Sequence, residues 1–503
     1  MHSMNRRDAV KLSAAALAAT IVDSPGRASI ETTHEYSFHR DHVIGTSFDL
    51  WVNAPTEVEA ERADAAALEE IERLRQIFST YDNASELSQL NHTVGSFVAS
   101  GELLEVLRAY ESWQQRTNCA LHGQVGELVR EWTEAERLGR EPDAGELERI
   151  AVKLRSPGWQ IDDATGTVTR LTDQPLNLNS IAKGFIIQRA ARVIQDRVPT
   201  VGSGLINLGG DMTAWGAARW PLAIQNPHEP YDNAMPLAGL VLTNAAIATS
   251  GGYQRYYTID GTRHSHIIDP RTGRPAGAVA GATVLAADSP MANALATALC
   301  VLSPAEGLRL IASVPGAECL LIAADGTQFR TPGMPLLPVS PTRSLAASTA
   351  ILADPWPEGY QVTATVTLPT VNANKYRRPY VAVWIEDADG KAVRTLAVWG
   401  NSNKYLKDLN DWWKIGKENP DVVKAMAKAT RGPGKYDLVW DGKDDKGNAV
   451  EQGTYTVRVE VHREFGGHLR QSGKIACKDE DARLTLEKNA ETEATTVVYA
   501  KKK

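Results

Sequence analysis

Lysine is distributed so unevenly along these 503 residues that a single domain does not account for the chain. Residues 1–350 hold three lysines, Lys11, Lys153 and Lys183, while residues 351–503 hold 17. The first stretch uses arginine instead, with 26 of the 34. Its 29 basic and 39 acidic side chains leave a balance of −10, and the second stretch has 25 against 22, or +3. A chain this long already exceeds what one hydrophobic core usually serves. Between the two stretches lie Pro332, Pro335, Pro338 and Pro341, followed by Ser-Leu-Ala-Ala-Ser-Thr-Ala, a linker composition. The expected layout is a leader over 1–29, a first domain over 33–335, a linker over 336–358 and a second domain over 359–503. Hydrophobic residues make up 43% of the chain, which excludes a disordered or fibrous protein. The net charge of −7 argues against nucleic acid as a partner.

The N-terminus reads as an export signal. Arg6-Arg7 and Lys11 form a charged start, and an apolar run from Leu12 to Val22 follows that is too short to span a bilayer. The arginine pair resembles a twin-arginine signal, so the expected destination is a bacterial periplasm. The first cysteine is Cys119, so a lipoprotein is not expected, nor is stable membrane insertion once the signal is removed. Cys119, Cys300, Cys319 and Cys477 allow three full pairings, and spacing selects none. Cys300 and Cys319 lie in apolar runs, and buried free thiols are the favoured reading.

Periodicity predicts strands over His34 to Val52 and helices over Glu57 to Phe78, Gly101 to Arg116, Val125 to Arg137 and Pro142 to Leu154. A hairpin is expected over Trp159 to Leu171 and a helix over Ile181 to Val198. Leu205 to Trp215 reads as a strand, as do Leu222 to Gln225, Leu237 to Thr243 and Arg255 to Ile259. Helices over Met291 to Leu302 and Ala305 to Ser313 precede a strand over Cys319 to Ala324. This mixed order means an α+β domain. From Tyr360 onward the pattern is mostly β, with a helical insert from Tyr405 to Thr430, and resembles an immunoglobulin-like sandwich. Trp440 to Gly447 reads as a hairpin turn rather than a calcium loop, and Trp384, Trp412 and Trp413 as core.

The order of short motifs carries the chemistry. Ile44-Gly45-Thr46 is followed by Ser79-Thr80-Tyr81, Ala120-Leu121-His122 and Asn177-Leu178-Asn179-Ser180-Ile181-Ala182-Lys183-Gly184. Next come Asn207-Leu208-Gly209-Gly210-Asp211 and Thr249-Ser250-Gly251. Ser265-His266-Ile267-Ile268-Asp269-Pro270-Arg271-Thr272-Gly273 and Ala292-Asn293-Ala294-Leu295-Ala296-Thr297 close the series. Over roughly residues 40–335 it resembles the ApbE family of FAD:protein FMN transferases.

That resemblance implies a transferase domain that binds FAD and Mg²⁺, attaches FMN through a phosphoester to a Ser or Thr hydroxyl of a partner protein, and releases AMP. The implied partner is an acceptor flavoprotein of an exported electron-transfer chain. Hydrolysis of FAD to FMN and AMP, or a non-catalytic flavin-binding role, are the alternatives. The resemblance carries FAD contacts onto Ile44, Tyr81, Ala120, Leu121, His122, Asn177, Lys183 and Ile268. It carries magnesium onto the carbonyl of Ser180 and the side chains of Asn293 and Thr297, and the general base onto His266.

The residues themselves support parts of this. Asn179-Ser180 reads as a cap for a helix starting at Ile181, which puts Lys183 in the first turn, where a cation opposes the helix dipole unless an anion binds there. Asn293 and Thr297 are four apart on a helix and share a face. His264 is two residues from His266, on the opposite face of a strand, so the two are not paired. The family pattern usually has Met at 44 and Asp at 122, 177 and 293, where this chain has Ile, His, Asn and Asn. A neutral amide at 293 should weaken magnesium binding, which Asp211 or Asp288 could offset. The second domain shows no catalytic constellation, and its +3 balance points to docking on the enzyme or its acceptor.

Overall fold

Six helices begin in the same way. Thr56, Ser85, Ser100, Asp143, Asp288 and Ser303 each accept a hydrogen bond from the amide three residues on. They start α1 (Glu57–Phe78), α2 (Glu86–His92), α3 (Gly101–Arg116), α5 (Ala144–Lys153), α7 (Ser289–Val301) and α8 (Pro304–Ala312). Among the described residues three helices lack such a cap: α4 (Gly126–Leu138), α6 (Asn179–Arg197) and α9 (Asn410–Gly416).

The computed structural model describes residues 33–338, 354–370, 378–400, 406–417, 427–428 and 431–502, except 232 and 254. The expected signal over 1–29 and most of the expected linker lie outside the described residues. The chain divides into two compact units. One holds the described residues up to Trp220 with Leu240–Leu336. The other holds Pro221–Gly239 with the described residues from Leu337 onward.

The first unit is α+β. Its strands are β1 (His34–Val43), β2 (Thr46–Ala54), β3 (Ser96–Val98), β4 (Trp159–Asp162), β5 (Thr167–Arg170), β6 (Ser203–Leu208) and β7 (Asp211–Trp215). β8 (Trp220–Ile224) and β9 (Ala238–Leu242) form a hairpin through which the chain passes between units. Then come β10 (Ala246–Gly251), β11 (Tyr256–Ile259), β12 (Thr262–Ser265), β13 (Val279–Ala286), β14 (Glu318–Ala323) and β15 (Gln328–Arg330). Eight of them make one antiparallel sheet in the order β1-β2-β6-β7-β10-β13-β14-β15. α1, α6 and α7 bury their apolar faces with it in one core that includes Leu50, Ile71, Phe185, Ile206 and Leu295.

Three details matter for the site. The expected strand over Leu205 to Trp215 is a hairpin: Gly209 and Gly210 have φ of 60° and 96°, as a two-residue turn that follows the sheet twist requires. α6 starts at Asn179 rather than Ile181, with Leu178 as its cap residue and no side-chain cap bond. Lys183 is therefore its fifth residue, beyond the first turn, which corrects the expected cap. Gly184 lets α6 approach α7, since a Cβ there would lie 2.4 Å from the Ser289 carbonyl oxygen.

The second unit is mostly β. Its elements are β16 (Tyr360–Leu368), β17 (Tyr380–Glu386), β18 (Ala392–Trp399), α9 (Asn410–Gly416), β19 (Ala427–Lys428), β20 (Gly434–Trp440), β21 (Gly453–His462), β22 (His468–Cys477), β23 (Ala482–Leu486) and β24 (Thr495–Lys501). They form sheets in the orders β20-β16-β24-β23 and β19-β18-β17-β21-β22, and both sheets contribute to one core. The expected helical insert over 405–430 is described only in part. Its described part is α9, and Ala427-Lys428 pairs in parallel with β18 instead. Trp384 and Trp412 are buried and Trp413 packs against them, as expected of core. Around Asp444 the chain makes a tight turn, with the carboxylate accepting from the Lys446 and Asn448 amides.

All four cysteines are free thiols, and burial pushes those of Cys300, Cys319 and Cys477 up to about 12.

Candidate functional site

Asp211 collects the polar residues of the site. It opens β7 directly after the two-glycine turn and is 1% exposed. The Lys183 ammonium forms an ion pair with its Oδ2, and the Asn293 amide donates to the same oxygen at 3.1 Å. Lys183 is 12% exposed at its side chain, so one edge of the pair is open to solvent. A buried carboxylate needs such partners, because its desolvation is otherwise uncompensated.

Asn293 ties this pair to α6. Its Oδ1 accepts from the Gly184 amide at 3.3 Å, one helical turn after Ser180. Thr297 lies on the same face of α7 and donates to the Asn293 carbonyl at 3.1 Å. Ala292, Ala294, Ala296 and Ala298 are fully buried, so this is not a polar stripe on a solvated helix. Lys183 and Asn293 thus meet at Asp211, Asn293 also ties α7 to α6 at Gly184, and Thr297 lies one turn further along α7. Asp288, the other carboxylate considered, is spent as the α7 cap, accepting from the Met291 amide at 2.8 Å.

The residues expected to hold an ion, together with Asp211, offer oxygens: the Ser180 carbonyl, Asn293 Oδ1, the Thr297 hydroxyl and the Asp211 carboxylate. That chemistry fits magnesium, which takes one or two carboxylates and keeps places for water and phosphate. Among the described residues no group of three or more His, Cys, Asp or Glu is arranged to hold a metal ion, so any ion here relies on Asp211 and neutral oxygens.

α6 begins beside a residue that sequence reasoning missed. Tyr110 of α3 is fully buried, and its phenol lies against the Ser180 hydroxyl and the amides of Ser180 and Ile181. Burial pushes its pKa up, so it stays a neutral phenol. In the sequence it continues the apolar stripe of Leu103, Val106 and Leu107 and looks like an ordinary core aromatic. Asn177 precedes the helix. Its Oδ1 accepts from the Asn179 amide at 3.3 Å, and its own amide donates to the Gly123 carbonyl at 2.7 Å.

That second bond joins α6 to the Ala120-Leu121-His122 loop, where all three residues are buried. His122 uses both ring nitrogens inside the fold: Nε2–H donates to the Leu154 carbonyl at 3.0 Å, and Nδ1 accepts from the Gln124 amide at 3.1 Å. Burial lowers its pKa to about 4, so the ring is neutral.

His266 belongs to a second group, just after β12. Its Nδ1 lies 2.8 Å from the Arg255 carbonyl. A carbonyl only accepts, so Nδ1 carries the proton and Nε2 is the basic nitrogen of the neutral ring. Ile268 is buried in a small core with Leu128, Trp132 and Tyr257. Asp269 ties the turn after it, accepting from the amide and guanidinium of Arg271. His264 packs beside Trp132, its Nε2 3.8 Å from Glu141 Oε1. Tyr81 is 84% exposed, an unusual state for an aromatic side chain. Ile44 sits at φ 44° between β1 and β2, a strained conformation for a β-branched residue.

With this geometry in view, the comparisons define the class. Residues 44–321 match the ApbE family, and residues 361–496 match a family described as "Predicted periplasmic protein (DUF2271)". The first match spans more than half of the chain, which therefore belongs to the ApbE family. Among relatives, an FAD:protein FMN transferase of Rhodobacter capsulatus is 29% identical over 305 residues, covering 58% of this chain and 56% of its own length. One from Klebsiella pneumoniae (strain 342) is 26% identical over 300 residues, covering 57% of this chain and 84% of its own. The crystal structure of the ApbE protein from Thermotoga maritima superposes with a TM-score of 0.54 at 26% identity, covering 59% of this chain and 97% of that one. Among the described residues no helix is long and apolar enough to cross a membrane.

Proposed function

We propose that this chain is an FAD:protein FMN transferase acting on an exported electron-transfer protein. The observation that carries the reading is the Lys183–Asp211–Asn293 group beside α6, a helix whose cap residue supplies no side-chain bond. Nucleotidyl transfer needs charge neutralised at the pyrophosphate and a hydroxyl made nucleophilic. The start of α6 offers backbone dipoles for phosphate, and Lys183 supplies a cation held in place by Asp211.

In the reaction, a Ser or Thr oxygen of the acceptor bonds to the phosphorus on the FMN side. The bond from that phosphorus to the bridging oxygen breaks, and AMP leaves with the electron pair. The hydroxyl proton passes to Nε2 of His266, whose ring is oriented by the Arg255 carbonyl. Magnesium, held by the Ser180 carbonyl, Asn293 and Thr297 with Asp211 as the carboxylate, would neutralise charge on the pyrophosphate and the leaving AMP. Ile44, Tyr81, Ala120, Leu121, Asn177 and Ile268 line the flavin and adenine, and neutral His122 acts through shape rather than charge.

Export by the twin-arginine route delivers the enzyme to its acceptor in the periplasm. The match of residues 361–496 to a predicted periplasmic family supports that location. We read the two sheets of the second unit as an immunoglobulin-like sandwich, an assignment that an experimental strand order would test.

The test incubates the protein with FAD, Mg²⁺ and a candidate acceptor domain. A fluorescent acceptor band on a denaturing gel, with AMP released, is expected. AMP without a band would replace transfer by FAD hydrolysis, and bound FAD with neither product would leave a flavin-binding module. His266→Ala should abolish the band while FAD still binds. A fully active variant would remove His266 as base.

A further inference from the structure

The turn that presents Asp211 is held by a row of side chains, two of which, His39 and Asp49, lie outside the motif series. The strand register places His39 of β1 opposite Asp49 of β2, and Asp49 opposite Asn207 of β6. His39 Nδ1–H donates to Asp49 Oδ1. Asn207 Nδ2 donates to Asp49 Oδ2 at 2.9 Å, and Asn207 Oδ1 accepts from the Gly210 amide at 2.9 Å. Gly209 is held from the same side, its amide donating to the Ser47 carbonyl at 3.0 Å. Asp49 is 2% exposed and Asn207 6% exposed, so these bonds form in a low-dielectric interior, where they are stiff and costly to break.

The row leads to one residue. Gly210 is followed directly by Asp211, which pairs with Leu208 across the hairpin. A glycine turn is soft, because glycine has access to far more backbone conformations than other residues. Here both turn amides are pinned to β2 or to a side chain that β2 holds. Each bond also has a defined direction, since a carboxylate accepts from both neighbours while the Asn207 amide donates on one side and accepts on the other.

We infer that His39, Asp49 and Asn207 are positioning residues that fix the Gly209-Gly210 turn, and so set where Asp211 holds the Lys183 ammonium against the substrate pyrophosphate. The inference rests on the flavin-transfer reading above. It adds a supporting row of side chains, none of which is among the residues expected to touch FAD.

The experiment compares wild type, Asp49→Asn, Lys183→Ala and the combination, reading FAD affinity by flavin fluorescence and Tm in parallel. Partners behind a ligand-holding group usually matter by 10- to 100-fold, so Asp49→Asn should weaken FAD binding roughly tenfold. Lys183→Ala should cost at least as much. Together they should lose no more than about twofold beyond the worse single variant, because both act through the same cation. Losses that multiply, or an Asp49→Asn protein with wild-type affinity, would overturn the inference.

If Asp49→Asn also lowers Tm, exchanging the two residues (Asp49→Asn with Asn207→Asp) decides. The new amide can accept from His39 and donate to the new carboxylate, which accepts from Gly210, so every bond is rebuilt. FAD affinity should return to within about threefold of wild type, as expected for coupled neighbours. Recovery of Tm without recovery of FAD affinity counts against the inference. A wild-type chain that binds no FAD removes the flavin-transfer reading, and this inference with it. FAD-binding wild type with multiplying losses overturns this inference alone.

Discussion

Each unit buries a carboxylate against a helix, and the two are satisfied in different ways. In the second unit Glu460 is fully buried. It accepts from the Asp411 and Trp412 amides at the start of α9 and from His468 Nε2 at 2.6 Å. Protein groups occupy that helix start. In the first unit Asp211 takes no helix amide. It takes the Lys183 ammonium and the Asn293 amide, while α6 begins without a side-chain cap. A carboxylate that closes a helix start stabilises the fold, whereas one that holds a partly exposed cation can present it to phosphate.

The sharpest way to break this comparison is to remove each side chain in turn. Glu460→Ala strips α9 of its acceptor and leaves His468 without its partner. Urea unfolding should show a loss of about 4 kcal/mol, the usual cost of breaking a buried charged pair, with FMN transfer by the folded fraction unchanged. Lys183→Ala should do the reverse, lowering kcat/KM by on the order of 100-fold with little change in Tm. If Glu460→Ala also cost activity, or Lys183→Ala cost stability instead, the distinction would fail.

His122 shows that the first unit also has closed polar groups. Its pKa falls from 6.5 to about 4 because burial disfavours the charged ring. Between those values the unfolded chain binds the proton that the folded chain refuses. Folding stability should therefore be fully present above pH 6.5 and decline as pH falls towards 4, by up to about 3 kcal/mol from this residue. Urea titrations of wild type and His122→Gln across that range should differ in slope, and equal slopes would show that the ring does not resist protonation.

Gly184→Ala tests the helix crossing on which the site depends. The added methyl meets the Ser289 carbonyl, and overpacking of this kind costs about 2 kcal/mol. A measured loss under about 0.5 kcal/mol would mean that α6 and α7 can separate at little cost. The smallest expected effect is that of Asn293→Asp. A second carboxylate beside Asp211 should lower the Mg²⁺ concentration needed for half-maximal transfer by roughly tenfold. An unchanged Mg²⁺ response would remove position 293 from the ligand set.

Much of the fold could be read from the chain because it is written locally. The α1 and α3 limits follow from caps and periodicity within a few residues, and the Asp387 to Gly390 turn marks the β17–β18 hairpin. What escaped notice lacked a local pattern. β10 and β13 are runs of small and apolar residues buried in mid-sheet, so they show no alternation. The start of α6 was misplaced because Asn179 and Ser180 are good cap residues, yet the helix begins at Asn179 and takes Leu178 as its cap residue.

The sequence alone determined the two-part composition, the order of the flavin motifs and the shared face of Asn293 and Thr297. All three depend only on residue identity and spacing. The fold alone decided between Asp211 and Asp288. Either carboxylate could have answered the missing charge at position 293, and nothing within a few residues distinguishes them. Asp288 went to its own helix three residues away, while Asp211 met Asn293 from 82 residues away because β7 and α7 pack in one core. A carboxylate's partner is set by whichever groups are desolvated beside it, and that is a property of packing.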